Sequence, residues 1–330
     1  MIKKTDYNIN NLESFDKEWL YHRKCQDWWY ATGYVDDEDG NRYSYQFTIL
    51  SLYTSGAHII TCMNALTDFQ TKEHHYCQFP TFFSKNLKVS ENEVSFRNLA
   101  GATKTDKGIH IHTKGKFFEL DVDTEYNKGA FWHCDNGRLQ MAEEGDLQTT
   151  YYYSYTNLPT TGTLKYKGKE LKVTGKTWFD KQGGTFSLGL EHGWEWFSLR
   201  FYDDEEMMLF YFPGNKYHDG TYIDKNANRS RLNQYSITTT KSVDVTIPQG
   251  TSQFSAGWEL YTPGLKEEHY TITPILDGAI NFAYFEELCS IKNQAGKEVG
   301  LCFVELWPFL YNNAERNNSA ALFKKTDSIS

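Results

Sequence analysis

Cysteine, proline and long apolar runs are all scarce in this chain, and each shortage excludes something. The six cysteines of the 330-residue sequence form no C-x-x-C pair, which argues against a zinc knuckle or a thioredoxin-like site. Only 7 prolines occur, and no composition break marks a linker. Met1-Ile2-Lys3-Lys4-Thr5-Asp6-Tyr7 carries two lysines with no apolar run behind them. A signal peptide and a membrane span are therefore not expected, and a reduced, cytoplasmic protein is. There is no basic stripe. A net charge of −9 and a pI near 5.6 argue against nucleic acid and anionic membranes as partners. No G-x-S-x-G elbow, P-loop or H-E-x-x-H motif is present, so a serine hydrolase, a nucleotide cofactor and a zincin site are not expected. No repeat of 20–50 residues is visible, so a propeller or solenoid has no support.

Aromatic residues are abundant, at 16 % of the chain, which suits strands and apolar pockets. Leu12, Phe15, Trp19 and Leu20 fall near 3.6 spacing and predict a helix over 11–26. Beyond it the period becomes two. Tyr43, Tyr45, Phe47 and Ile49 alternate with polar residues, as do Phe118, Leu120 and Val122. This reads as antiparallel strands with one buried face. Asp39-Gly40, Asn136-Gly137, Lys167-Gly168 and Asp203-Asp204 mark turns. Lys167-Gly168 joins two runs as a hairpin. The expected architecture is all-β with few helices, divided after Gln182-Gly183-Gly184 into 1–184 and 185–330. The polar tail from Asn312 is expected to end in a frayed helix.

The histidines carry no metal signature. His110 and His112 share a strand face, His74-His75 is adjacent, and His58, His133 and His192 stand alone. No bound metal is expected. What remains is carboxylates set among aromatic rings. Trp178 and Asp180 lie i, i+2 on one strand and point the same way. Glu195 sits between Trp194 and Trp196 and points opposite both rings. A carboxyl beside indole faces loses hydration, so its pKa rises and it can act as an acid. An aspartate at a strand-end turn also serves simply to accept backbone N–H groups. Tyr151 and Tyr153 share one face and Tyr152 takes the other. A phenol there either binds a ligand carbonyl or packs.

In order, these pieces resemble one family. Asp27-Trp28-Trp29-Tyr30 is similar to an E-W-W-Y opening, Tyr43-Ser44-Tyr45-Gln46-Phe47-Thr48 to the first core strand, and Ala57-His58 to an A-H pair. Tyr151-Tyr152-Tyr153-Ser154 matches Y-Y-Y-S, and Gly175-Lys176-Thr177-Trp178-Phe179-Asp180 matches G-x-x-W-x-D. Trp194-Glu195-Trp196-Phe197 resembles W-D-W-F, Glu206-Met207-Met208-Leu209 resembles E-L-M-L, and Val304-Glu305-Leu306 the final V-E-L. The set is that of the lipocalin-like superfamily of carotenoid 1,2-hydratases, AttH-type proteins, kievitone hydratase and fungal Diels–Alderases. Three departures stand out: Gly183-Gly184 where the family has W-G, and Asp27 and Glu195 in place of Glu and Asp. Tyr151 and Tyr153 also fall near the position of the hydratases' H-x-W pair.

The resemblance implies two tandem lipocalin-like β-barrel domains with a pocket in or between them. It implies a cofactor-independent enzyme acting on a lipophilic unsaturated molecule by acid-assisted hydration or isomerisation. A cyclase that folds a polyene and a non-catalytic carrier are the alternatives. Asp180 is the expected acid, with Tyr153 and Glu195 beside it. Trp178, Tyr151, Trp194, Trp196, Trp29, Gln46 and His58 are the expected substrate-binding side chains. A hydrophobic small molecule is the expected partner.

Overall fold

The computed structural model describes residues 2–54, 56–141, 148–186, 193–212, 217–248, 250–265 and 267–308. Strands dominate it. Residues Gln26–Asp37 through Lys169–Thr185 build one 13-stranded sheet, and residues Trp194–Phe201 through Glu298–Trp307 build a second, 10-stranded one. Both are antiparallel and curl on themselves, giving two tandem lipocalin-like half-barrels. In the first, the centre of the sheet runs Arg42–Thr54, Gln26–Asp37, Lys169–Thr185, Thr149–Tyr166. In the second it runs Glu206–Phe212, Trp194–Phe201, Glu298–Trp307, Tyr284–Asn293. The division expected at 184/185 falls in the last residues of the first sheet. His192 and the tail from Asn312 lie outside the described residues.

Three cores result. The first half-barrel fills its interior with Trp19, Trp29, Phe47, Tyr153 and Phe179. The second does so with Phe197, Leu209, Trp258 and Val304. A third core joins them and takes Tyr30, Tyr152 and Trp178 from the first sheet and Trp196, Phe210 and Phe303 from the second. The docked strands are consequently buried on both faces, and every residue of Trp194–Phe201 is buried. Burial on both sides removes polar alternation from a strand. It explains why these segments read as unbroken aromatic runs.

The expected helix over 11–26 is much shorter in the structure. It spans Phe15–Trp19, begins at Ser14, whose hydroxyl accepts from the Lys17 amide, and ends where Leu20 turns extended. The apolar period was real, because Phe15 stacks on Trp132 at 4.7 Å and Trp19 on Phe179 at 5.5 Å. Beyond Leu20, pairing wins over propensity. Tyr21–His22 pairs with Lys4–Thr5, and Gln26 opens the first long strand. So short a helix has little stability of its own, and packing sets its length.

One irregularity decides the faces at the centre of the molecule. Lys167 and Gly168 both have positive φ, 50° and 75°, as a tight hairpin turn requires. From that turn the ladder runs regularly from Tyr166 opposite Lys169 to Leu158 opposite Thr177. There the register slips by one residue at a bulge, where Asn157 has φ 48°. Beyond it Tyr155 faces Phe179 and Ser154 faces Asp180. A one-residue slip exchanges the two faces of a strand. Without it, Tyr155, Tyr153 and Tyr151 would share the face of Asp180. With it, Ser154 and Tyr152 do.

Candidate active site

Asp180 is 3 % exposed and sits where the first sheet meets the second. Its carboxylate accepts from Trp178 Nε1 at 2.6 Å, from Tyr152 Oη at 3.0 Å, and from Ser154 Oγ. All three donors are neutral. Burial therefore dominates and pushes the Asp180 pKa up to about 7, with the three hydrogen bonds and Arg200 pulling the other way. Ser154 Oγ is in turn 2.6 Å from Nε2 of His133. Because the serine hydroxyl donates to Asp180, it accepts from His133 Nε2–H. Burial, and then Arg229, holds His133 well below its ordinary pKa, so it is a neutral donor. Trp178 backs the site, its ring 5.7 Å from the Arg200 guanidinium and stacked with His133 at 6.1 Å.

The carboxyl opens on a narrow cavity of about 70 Å³ between the two half-barrels. Trp28, Tyr30, Gln46 and Tyr152 line it from the first sheet, and Trp194, Trp196, Tyr284, Glu305 and Trp307 from the second. Hydrogen bonds tie the two walls together. Trp196 Nε1 donates to Tyr152 Oη at 2.9 Å, Tyr30 Oη to Glu286 Oε1 at 2.5 Å, and Gln46 Nε2 to Tyr284 Oη at 2.9 Å. Farther out, Lys128 pairs with Glu206 at 2.9 Å, both buried. Glu286 and Glu305 face each other across neighbouring strands. Glu305 accepts from Trp194 Nε1 at 2.7 Å, and burial raises it to about 7 against the hydrogen bonds of Trp194 and Glu286.

The expected site residues therefore separate. Asp180, Gln46, Trp194 and Trp196 come together around the cavity, with Trp178 directly behind Asp180. Tyr153 points into the first half-barrel and donates to the Phe15 carbonyl at 2.9 Å. Trp29 lies in the same interior and donates to the Trp19 carbonyl at 3.0 Å. His58 sits 2.6 Å from Tyr21 Oη, away from the cavity. Glu195 points into the second half-barrel, as its place between two outward tryptophans requires, and accepts from Ser255 at 2.5 Å and Trp258 at 2.9 Å.

Tyr151 joins a separate buried network. Asp27 accepts from Tyr151 Oη at 2.5 Å and from Lys181 Nζ, and His22 bridges Asp27 and Glu18. Burial alone would raise the Asp27 carboxyl. Lys181 and then His22 outweigh burial and hold it below its ordinary value. A Cβ on Gly183 would sit 2.8 Å from both Asp27 Oδ1 and Tyr151 Oη, so glycine at this position leaves the network its room.

Sequence reasoning missed Tyr152, Ser154, His133, Glu286 and the cavity role of Glu305. Ser154 and Tyr152 stood inside a matched motif, and the bulge alone assigned them their face. His110 and His112 lie on an outer strand face, where His110 meets Asp123 at 2.9 Å. Among the described residues no group of three or more His, Cys, Asp or Glu side chains is placed to hold a metal ion. None of the described helices is long and apolar enough to cross a membrane.

Comparison with known proteins agrees with this architecture. An AttH homologue from Nitrosomonas europaea superposes with a TM-score of 0.81 over 93 % of this chain and 100 % of its own, at 18 % identity. Kievitone hydratase from Nectria haematococca gives 0.69 over 85 % and 88 %, at 15 % identity. CghA gives 0.54 over 88 % and 90 %, at 8 % identity. A comparison with curated proteins found no match. The family model for AttH-like proteins matches residues 10–308, and the chain belongs to the AttH-like family.

Proposed function

We propose that this protein is a cofactor-independent enzyme that hydrates or isomerises a lipophilic, unsaturated small molecule, with Asp180 as the acid. One observation carries the reading. A buried carboxyl with only neutral hydrogen-bond donors opens on an aromatic cavity, with its pKa raised to about 7. Such a group keeps its proton on a large fraction of molecules at neutral pH, where an ordinary aspartate has lost it, and can deliver it. In the proposed step the Asp180 O–H bond breaks as a new C–H bond forms from the alkene π electrons. The neighbouring carbon becomes cationic, and Trp196 and Tyr152 present electron-rich rings to it. Water then adds and releases a proton, or an adjacent C–H releases one. Trp178, Tyr152 and Ser154 stabilise the carboxylate left behind. All six cysteines are unpaired, which supports the cytoplasmic setting of this reading. The fold is also that of kievitone hydratase, a named hydratase.

The test compares the wild-type protein with Asp180→Asn, each incubated with a lipid-soluble extract of the native cells and read by mass spectrometry. We expect a product heavier by one water or isomeric with its precursor, formed by wild type and reduced about 100-fold or more in the variant. Equal product from both proteins would point to catalysis by shape alone, as in a cyclase. One unchanged compound retained by both would make the protein a carrier.

A further inference from the structure

The second wall of the cavity carries a charge pattern that the acid chemistry of Asp180 does not use. The ionisable side chains among the described residues lining the cavity are Asp180, Glu305 and the phenols of Tyr30, Tyr152 and Tyr284. Every one of them is acidic, and no lysine, arginine or histidine stands among them. Behind Glu305 lies Glu286, 3 % exposed. Its Oε1 accepts from Tyr30, while its Oε2 is enclosed with no donor in reach. Two carboxyls this close do not both ionise. Burial, and then the Glu305 charge, keeps Glu286 protonated, well above its ordinary value. Glu305, raised by burial only to about 7, is therefore the member of the pair that ionises first. Around Glu305 stand Trp194, stacked on Trp307 at 5.3 Å, and Tyr284, 5.7 Å from Trp307. Aromatic faces around a partly desolvated carboxylate attract cations and repel anions.

We propose that Glu305, backed by Glu286 and walled by Trp194, Trp307 and Tyr284, is a cation-receiving subsite. The ligand is then a neutral hydrophobic molecule that becomes positively charged inside the cavity, and long-chain carboxylates and organic phosphates are rejected. The inference rests on the acid reading above, since protonation by Asp180 is what creates the charge. Glu305 stabilises the cation through space and takes up the proton released by the adding water or the adjacent C–H bond. Proton return from Glu305 to Asp180 through water in the cavity restores the starting state.

The experiment needs no substrate. Octyltrimethylammonium, octanol, octanoate and octyl phosphate share one chain and differ in head-group charge, and calorimetric titration gives the affinity of each. The ammonium is expected to bind about tenfold or more tighter than octanol, with octanoate and octyl phosphate weaker than octanol. Glu305→Gln is expected to abolish the preference for the ammonium and leave octanol unchanged. Trp307→Leu is expected to weaken the ammonium more than the alcohol. Octanoate binding as well as the ammonium would overturn the proposal, as would a Glu305→Gln protein that keeps the preference. The charge series on wild type decides the matter even if neither variant folds. Turnover that survives Asp180→Asn would remove the acid chemistry and leave the charge selectivity standing. A series with no charge preference would do the reverse.

Discussion

Asp180 and Asp27 are buried carboxylates on neighbouring strands, and they reach opposite electrostatic states. Asp180 shares a face with Tyr152, Ser154 and Trp178, and Asp27 with Tyr151, Gly183 and Lys181. Tyr151 and Tyr152 are adjacent in sequence, as are Asp180 and Lys181, so the two sites lie back to back across one sheet. On one face a lysine and a histidine hold Asp27 below its ordinary pKa. On the other, three neutral donors cannot offset burial, and Asp180 rises to about 7. The Asp27 face lies in the filled first half-barrel, and the Asp180 face opens on the cavity. Burial alone therefore does not mark a reactive carboxyl. The charge of its partners and the space beside it do.

Breaking the ion pair has the largest expected effect. Lys181→Met strands Asp27 in a dry interior and is expected to destabilise the protein by about 3–5 kcal/mol, measured by urea unfolding. A loss under about 1 kcal/mol would mean that Asp27 finds other compensation.

Asp180→Asn is expected to act in the opposite direction. The folded protein holds a proton on Asp180 that the unfolded chain has released, so its contribution to stability falls as pH rises from the ordinary carboxyl range through about 7. The variant escapes that cost. Its stability relative to wild type should climb between about pH 4 and pH 7 and level off above that, by at most about 4 kcal/mol in all. Asp27 works with the other sign. Its contribution is present above the ordinary carboxyl range and disappears as pH falls through its lowered pKa.

The tyrosines give the smallest and most discriminating effect. Tyr152→Phe removes a donor to Asp180 and should cost about 1 kcal/mol while moving the pH profile of turnover upward. Tyr153→Phe should cost a similar amount, through the Phe15 carbonyl, and leave that profile unmoved. If both variants moved the profile equally, the assignment of faces by the bulge would be wrong.

Much of this was legible in the sequence. Period-two alternation gave the strands, and Lys167-Gly168 gave the hairpin. The i, i+2 spacing of Trp178 and Asp180 set them on one face with their hydrogen bond. The position of Glu195 between Trp194 and Trp196 turned it away from both rings. The register at Asn157 was hidden, because a bulge is a property of two strands and leaves no period of its own. That slip moved Tyr151 and Tyr153 to the first half-barrel and brought Tyr152 and Ser154 to Asp180. The Glu286–Glu305 pair was hidden for a related reason. It forms across two strands that meet Asp180 only when the half-barrels dock. His58 and Trp29 sat in matched motifs, yet Tyr21 and Trp19 engage them inside and around the first half-barrel.

The most direct test of the account is the titration of Asp180 itself. With aspartate labelled at the carboxyl carbon and Asp180→Asn used to assign the resonance, nuclear magnetic resonance across pH 4 to 9 would follow its proton. The account predicts a midpoint near 7 for Asp180, with Asp27 ionised throughout the same range. A midpoint for Asp180 in the ordinary carboxyl range would contradict it, and Asp180 would then be a structural hydrogen-bond acceptor at the junction of two half-barrels.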